Sequence, residues 1–241
     1  MTADWGDVQP NDDFGCDMND LSDPAIDVYD NAMFIIALDY LLEMAPDSPQ
    51  ASRWKSLREG IERNVRAHLW DVKRQKFIPH IYPEKSPIPE GFNELAIHYH
   101  GGTAIAIEAG LLSKDEIRTV NAQMLENVRL SGMPSIGLTL YPVYPDGFFH
   151  GGMSKAYLYQ NGGDWTWFGG RMIQQLVVNG MVEEAYAEIH PMIERVIQND
   201  GFYEWYGKGG VPSGSGNFKG SAGVLSKAIE LLRDWAEKNK S

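Results

Sequence analysis

The chain has 241 residues, 43% of them hydrophobic, with a net charge of −12 and a single cysteine, Cys16. That length fits one large domain or two small ones with a substantial core. The acidic surface repels phosphate backbones, so nucleic acid is excluded as a partner, and no apolar run reaches the roughly 18 residues of a membrane-spanning helix. One cysteine excludes an internal disulfide and a multi-cysteine zinc site. With an opening, Met-Thr-Ala-Asp-Trp, that carries neither a basic region nor an apolar stretch, this favours a cytoplasmic protein without a leader at its start. The opening is polar and turn-rich, as though an upstream part preceded it.

In chain order, Asp23-Pro24 signals the start of a helix over 23–45, with Ala32, Phe34, Ile35, Leu38 and Leu41 among its apolar positions. Its partner covers 48–70, where Trp54, Leu57, Ile61, Val65 and Leu69 recur at spacings of three and four and leave a charged face opposite. A second pair covers 93–109 and 114–130, with Gly110 as the stop and Ser113 as an N-cap. A third covers 164–179 and 182–198 around Gly180, and a seventh helix covers 221–239.

A repeat runs through these units. Gly101-Gly102 and Gly169-Gly170 each precede an apolar helix, a glycine stop and an acidic amphipathic helix, as stacked helical hairpins require. The first helix of each pair is apolar nearly all round and the second is amphipathic, which predicts two concentric helical layers and an all-α fold of one domain. The connections 131–163 and 200–220 far exceed the usual 4–6 residues, and their aromatic content favours function.

Three loop segments combine carboxylates with indole or phenol rings: Asp4-Trp5-Gly6-Asp7, Tyr159-Gln160-Asn161-Gly162-Gly163-Asp164-Trp165-Thr166-Trp167, and Phe202-Tyr203-Glu204-Trp205-Tyr206. The combination suits sugars, because a pyranose packs its C–H face on a ring while carboxylates and amides take its hydroxyls. Cleaving a glycosidic bond needs one carboxylic acid for the leaving oxygen and a second carboxylate for water or the anomeric carbon. On residue pattern alone, Glu204 reads either as an acid put to use or as a solvated loop residue beside core aromatics. Asp4 and Asp7 read as exposed terminal acids, and Asp164 as a helix cap. The histidines give no metal signature: His98 and His100 are two residues apart, although His100 can line a pocket at the inner layer. The acidic run from Asn11 to Asp20 lacks EF-hand spacing, and no metal or cofactor is expected.

At these motifs the chain resembles the six-hairpin glycosidases, enzymes built on an (α/α)6 toroid. Tyr159-Gln160-Asn161-Gly162-Gly163-Asp164-Trp165 with Phe202-Tyr203-Glu204-Trp205-Tyr206 is similar to the Tyr-His-Asn-Gly-Gly-Ser-Trp and Trp-Pro-Glu-Tyr-Tyr motifs of alkaline/neutral invertases. That likeness puts the general base on Glu204. Ala3-Asp4-Trp5-Gly6-Asp7 resembles the Ala-Asp-Trp-Asn-Asp motif of cellobiose phosphorylases and the Asp-Trp segments of rhamnosidases, which implies Asp4 or Asp7 as the general acid.

The resemblance implies an inverting glycoside hydrolase acting on a carbohydrate. Its sugar-binding residues would be Trp5, Asn161, Gly163, Asp164, Trp165, Trp167, Trp205 and His100. A glycoside phosphorylase, with Arg171 and Lys155 as the nearest cations, and a non-catalytic carbohydrate-binding protein are the alternatives. Seven helices make only part of a twelve-helix toroid. The expectation is therefore the C-terminal portion of the catalytic domain, completed by an N-terminal half or a second chain.

Overall fold

The computed structural model describes residues 23–149 and 151–240. Asp4, Trp5 and Asp7 lie outside the described residues. Among the described residues seven helices carry the fold: α1 (Val28–Met44), α2 (Ala51–His68), α3 (His100–Glu108), α4 (Lys114–Ser131), α5 (Thr166–Val178), α6 (Val182–Asn199) and α7 (Lys219–Lys238). Three ladders of two-residue strands stitch the loops: β1 (Trp70–Asp71) with β2 (Lys76–Phe77), β3 (His98–Tyr99) with β4 (Leu140–Tyr141), and β5 (Trp205–Tyr206) with β6 (Pro212–Ser213), all antiparallel. None of the described helices is long and apolar enough to cross a membrane.

Helices α1, α3, α5 and α7 pack side by side in that order, while α2 backs α1 and α6 backs α5. This is a partial (α/α)6 arrangement in two layers. Residues 100–107 of α3 are buried without a break, whereas α2 buries only Val65. The double glycines set the spacing of the inner row. A Cβ on Gly102 would lie 2.7 Å from Val28 of α1, and one on Gly101 would lie 3.1 Å from the Phe168 ring of α5. A Cβ on Gly170 would lie 2.9 Å from Val224 of α7. Helices approach this closely only where the side chain is a hydrogen.

Several helix ends follow local chemistry. Ser113 and Glu116 form a reciprocal capping box at α4, and Gly110 and Gly180 adopt the left-handed conformation that ends the inner helices. Others depart from expectation. The first helix starts at Val28 rather than Asp23, capped by Asp27, whose carboxylate accepts from the Asp30 amide at 2.9 Å. The helix expected from residue 93 begins only at His100, because residues 98–99 are drawn into the ladder with 140–141. Asp164 does not cap α5: the cap position is Trp165, without a side-chain bond. Phe34 and Leu41 of α1, expected in the core, are exposed.

Candidate active site

Each outer helix returns the chain to the end where the next inner helix begins, so the lead-ins to α1, α3, α5 and α7 gather at one end. A seam of backbone bonds joins three of them. Gly101 N donates to Thr139 O, Thr139 N donates to Gly163 O, and Asp164 exchanges both backbone bonds with Tyr206. Phe202 and Phe218 then close the hairpin that carries Glu204, Phe218 N donating to Phe202 O at 2.8 Å. Two loops 40 residues apart in sequence, both flagged for function, are thus bound edge to edge.

The 157–165 loop is held in a contorted path. Tyr157, Tyr159 and Gly162 all have positive φ, and a Cβ on Gly163 would fall 2.2 Å from Tyr159 O. Asn161 is wholly buried: its Oδ1 accepts from Tyr144 N at 2.9 Å and its Nδ2 donates to Tyr144 O at 3.1 Å. Asp164 is wholly buried as well. Ser135 Oγ donates to its Oδ1 at 2.8 Å, and Arg195 Nη1 lies 2.8 Å from the same oxygen as an ion pair. Arg195, itself 5% exposed, also donates from Nη2 to Thr166 Oγ1 at 2.7 Å and lies 4.0 Å over the Tyr206 ring. Asn161 and Asp164 therefore sit inside the wall of the site and hold it together, where sequence pattern expects them to meet sugar hydroxyls.

The rings form the wall's surface. Tyr29, Gln160, Trp165, Trp167, Phe168 and Phe218 line a pocket of about 200 Å³ at the starts of α1, α5 and α7. Trp165 donates from Nε1 to Tyr159 O at 3.1 Å, and its ring meets Phe218 edge-on at 6.2 Å. Trp167 is half-buried, with the Arg171 guanidinium 5.1 Å from its centroid. Burial pushes the Tyr29 phenol above its ordinary value. Trp205 is half-buried beside Tyr159, with centroids 6.2 Å apart.

Glu204 is half-buried in the bend just before β5. Its amide donates to Ser215 O at 2.9 Å, and its Oε2 accepts from Ser215 N at 3.2 Å. Gly214 opposite has positive φ, and a Cβ there would lie 2.5 Å from Oε2, so glycine is what leaves room for this carboxylate. One oxygen of Glu204 is oriented by a backbone amide, and Oε1 carries no bond within the described residues.

His100 does not line a pocket. It is 1% exposed and its Nε2 pairs with Asn127 Nδ2 at 2.9 Å. Burial and then neighbouring His98 push its pKa down to about 3, so it is neutral. Arg171 Nε donates to Glu108 Oε2 at 2.7 Å, so its charge is compensated, and Lys155 is exposed. Among the described residues no group of three or more His, Cys, Asp or Glu could hold a metal ion.

Sequence reasoning missed a second cluster at the same end. Glu94, in the turn before β3, accepts at one oxygen, Oε1, from Tyr144 Oη at 2.7 Å and Tyr82 Oη at 2.8 Å; His80 Nδ1 lies 2.8 Å from it. Burial opposes its charge, but His80 and the two phenols outweigh that and hold its carboxyl below the usual range. The only signal in the sequence was the alternation His80-x-Tyr82 in an extended segment.

No protein-family model and no curated protein sequence matches the chain. Among solved structures, it is similar to a GH63 mannosylglycerate hydrolase from Thermus thermophilus in complex with Tris and D-glycerate. The TM-score is 0.59 at 17% identity, over 87% of this chain and 46% of that one. The same enzyme in complex with glucose aligns at a TM-score of 0.58 and 17% identity, over 87% of this chain and 48% of that one. An uncharacterized conserved protein from the same organism aligns at 0.60 and 18% identity, over 87% and 47%. The chain thus spans about half the length of the structures it matches. The likeness is one of fold, and it is the six-hairpin fold that the motifs resemble, matched here over part of its length.

Proposed function

We propose that this chain supplies one wall of a glycoside hydrolase site at the loop end of the inner helices, with Glu204 as the general base. The observation that carries this reading is the joining of the Asn161–Trp165 loop to the Glu204 hairpin beside an aromatic pocket of about 200 Å³. In the proposed inverting reaction, Glu204 takes a proton from a water that attacks the anomeric carbon. A carboxylic acid, Asp4 or Asp7, protonates the departing glycosidic oxygen from the other face. Trp165, Trp167 and Trp205 present ring surface to the sugar, while Asn161, Asp164 and Gly163 keep the wall in shape. The substrate is a small glycoside, in keeping with the size of the pocket and with the mannosylglycerate hydrolase whose fold is similar.

The test is hydrolysis of mannosylglycerate and a panel of simple glycosides by the wild-type chain and by Glu204→Gln. The expected result is turnover that falls by about 10²–10⁴-fold in the variant, as for loss of a general base. Wild-type rates carried over unchanged into Glu204→Gln would remove the proposed base. Release of sugar 1-phosphate only with added phosphate would replace hydrolysis by phosphorolysis, and sugar binding without turnover would leave a binding protein.

A further inference from the structure

We propose that Glu94 marks a second saccharide subsite, lying across the 159–163 loop from the aromatic pocket, in which its free carboxylate oxygen accepts sugar hydroxyl hydrogen bonds. This rests on the glycosidase reading and extends it to a residue no motif includes. The three partners of Glu94 converge on Oε1, Oε2 makes no hydrogen bond among the described residues, and the side chain keeps 11% of its surface exposed. A carboxylate held this way is rigid, ionised and half unused.

The surroundings fit a sugar. Tyr144, a donor to Glu94, stacks on Phe92 at 5.5 Å and on Phe148 at 4.7 Å, and both phenylalanines are half-buried, so part of each ring stays exposed. The ring wall offers an apolar face for pyranose C–H groups, and Oε2 supplies the polar partner. Position agrees as well. Asn161 bonds both backbone groups of Tyr144, while its neighbour Gln160 lines the aromatic pocket. The 159–163 loop therefore touches both places.

Calorimetric titration of D-glucose and D-mannose into the wild-type chain and Glu94→Gln, with glycoside kinetics on both, tests this. Loss of a charge-assisted hydrogen bond predicts about tenfold weaker sugar binding and a similar rise in KM, with kcat little changed and circular dichroism unaltered. Phe148→Leu leaves the Glu94 network intact and is expected to weaken binding about threefold by thinning the ring wall; it serves where Glu94→Gln does not fold. Wild-type cleavage with sugar affinity and KM unmoved in the folded variants would overturn the subsite and leave the glycosidase reading standing. A wild-type chain that neither binds nor cleaves any sugar would overturn both.

Discussion

The lead-ins to α3 and α5 contain similar residues and bury them to different degrees. Before α5, Asn161 and Asp164 are wholly buried, Asn161 bonding Tyr144 through both amide atoms and Asp164 taking Ser135 and Arg195 on Oδ1. Before α3, Glu94 likewise gathers its partners on one oxygen, but its side chain keeps 11% of its surface exposed. The residues that look most like a motif hold the wall, and a glutamate that belongs to no motif keeps part of its side chain exposed. A buried acid marks a binding site only when some of its hydrogen-bonding capacity is left over and can be reached.

The sharpest way to break this contrast is Asp164→Asn. It leaves the Arg195 charge buried without a counter-charge, and breaking such a pair costs about 3–5 kcal/mol. Urea unfolding that moved by less than about 1 kcal/mol would show that Asp164 does not hold the wall. Next comes Asn161→Ala, which strands the amide and carbonyl of Tyr144 and is expected to cost about 1–3 kcal/mol by the same measurement.

A pH-dependent effect is expected far from both lead-ins. Glu188 of α6 is 8% exposed, accepts from Asn121 Nδ2 of α4 at 2.8 Å, and is pushed by burial up to about 7. The folded state then holds a proton that the unfolded chain releases near 4.5, so stability is full below pH 4.5 and declines as pH rises through about 7. Glu188→Gln is expected to flatten this slope. A stability profile between about pH 5 and 8 that is identical in the two proteins would count against it.

Much of the fold was legible because it is local. The stripe of α2, the Ser113 capping box and the glycine stops at Gly110 and Gly180 are decided within a few residues. The start of α3 was not, because residues 98–99 pair with 140–141, more than 40 positions away. At the site, the aromatic segments were visible as composition, and Trp165 and Trp167 do line a pocket. What composition cannot encode is which way a polar atom points. Asp164 looked like a cap and His100 like a pocket residue, yet each is claimed by a distant partner, Arg195 in one case and Asn127 in the other. Glu94 went unnoticed for the same reason: its donors come from residues 80, 82 and 144.

The paired glycines reach beyond the packing of single helices. Gly102 against Val28 and Gly170 against Val224 fix how far apart neighbouring inner helices stand, and the pocket is framed by the starts of three of them, α1, α5 and α7. The width of the mouth is therefore written into contacts that lie below it. A methyl group added at either place would pry the row apart and resize the opening, so the range of molecules admitted can change without altering any residue they touch.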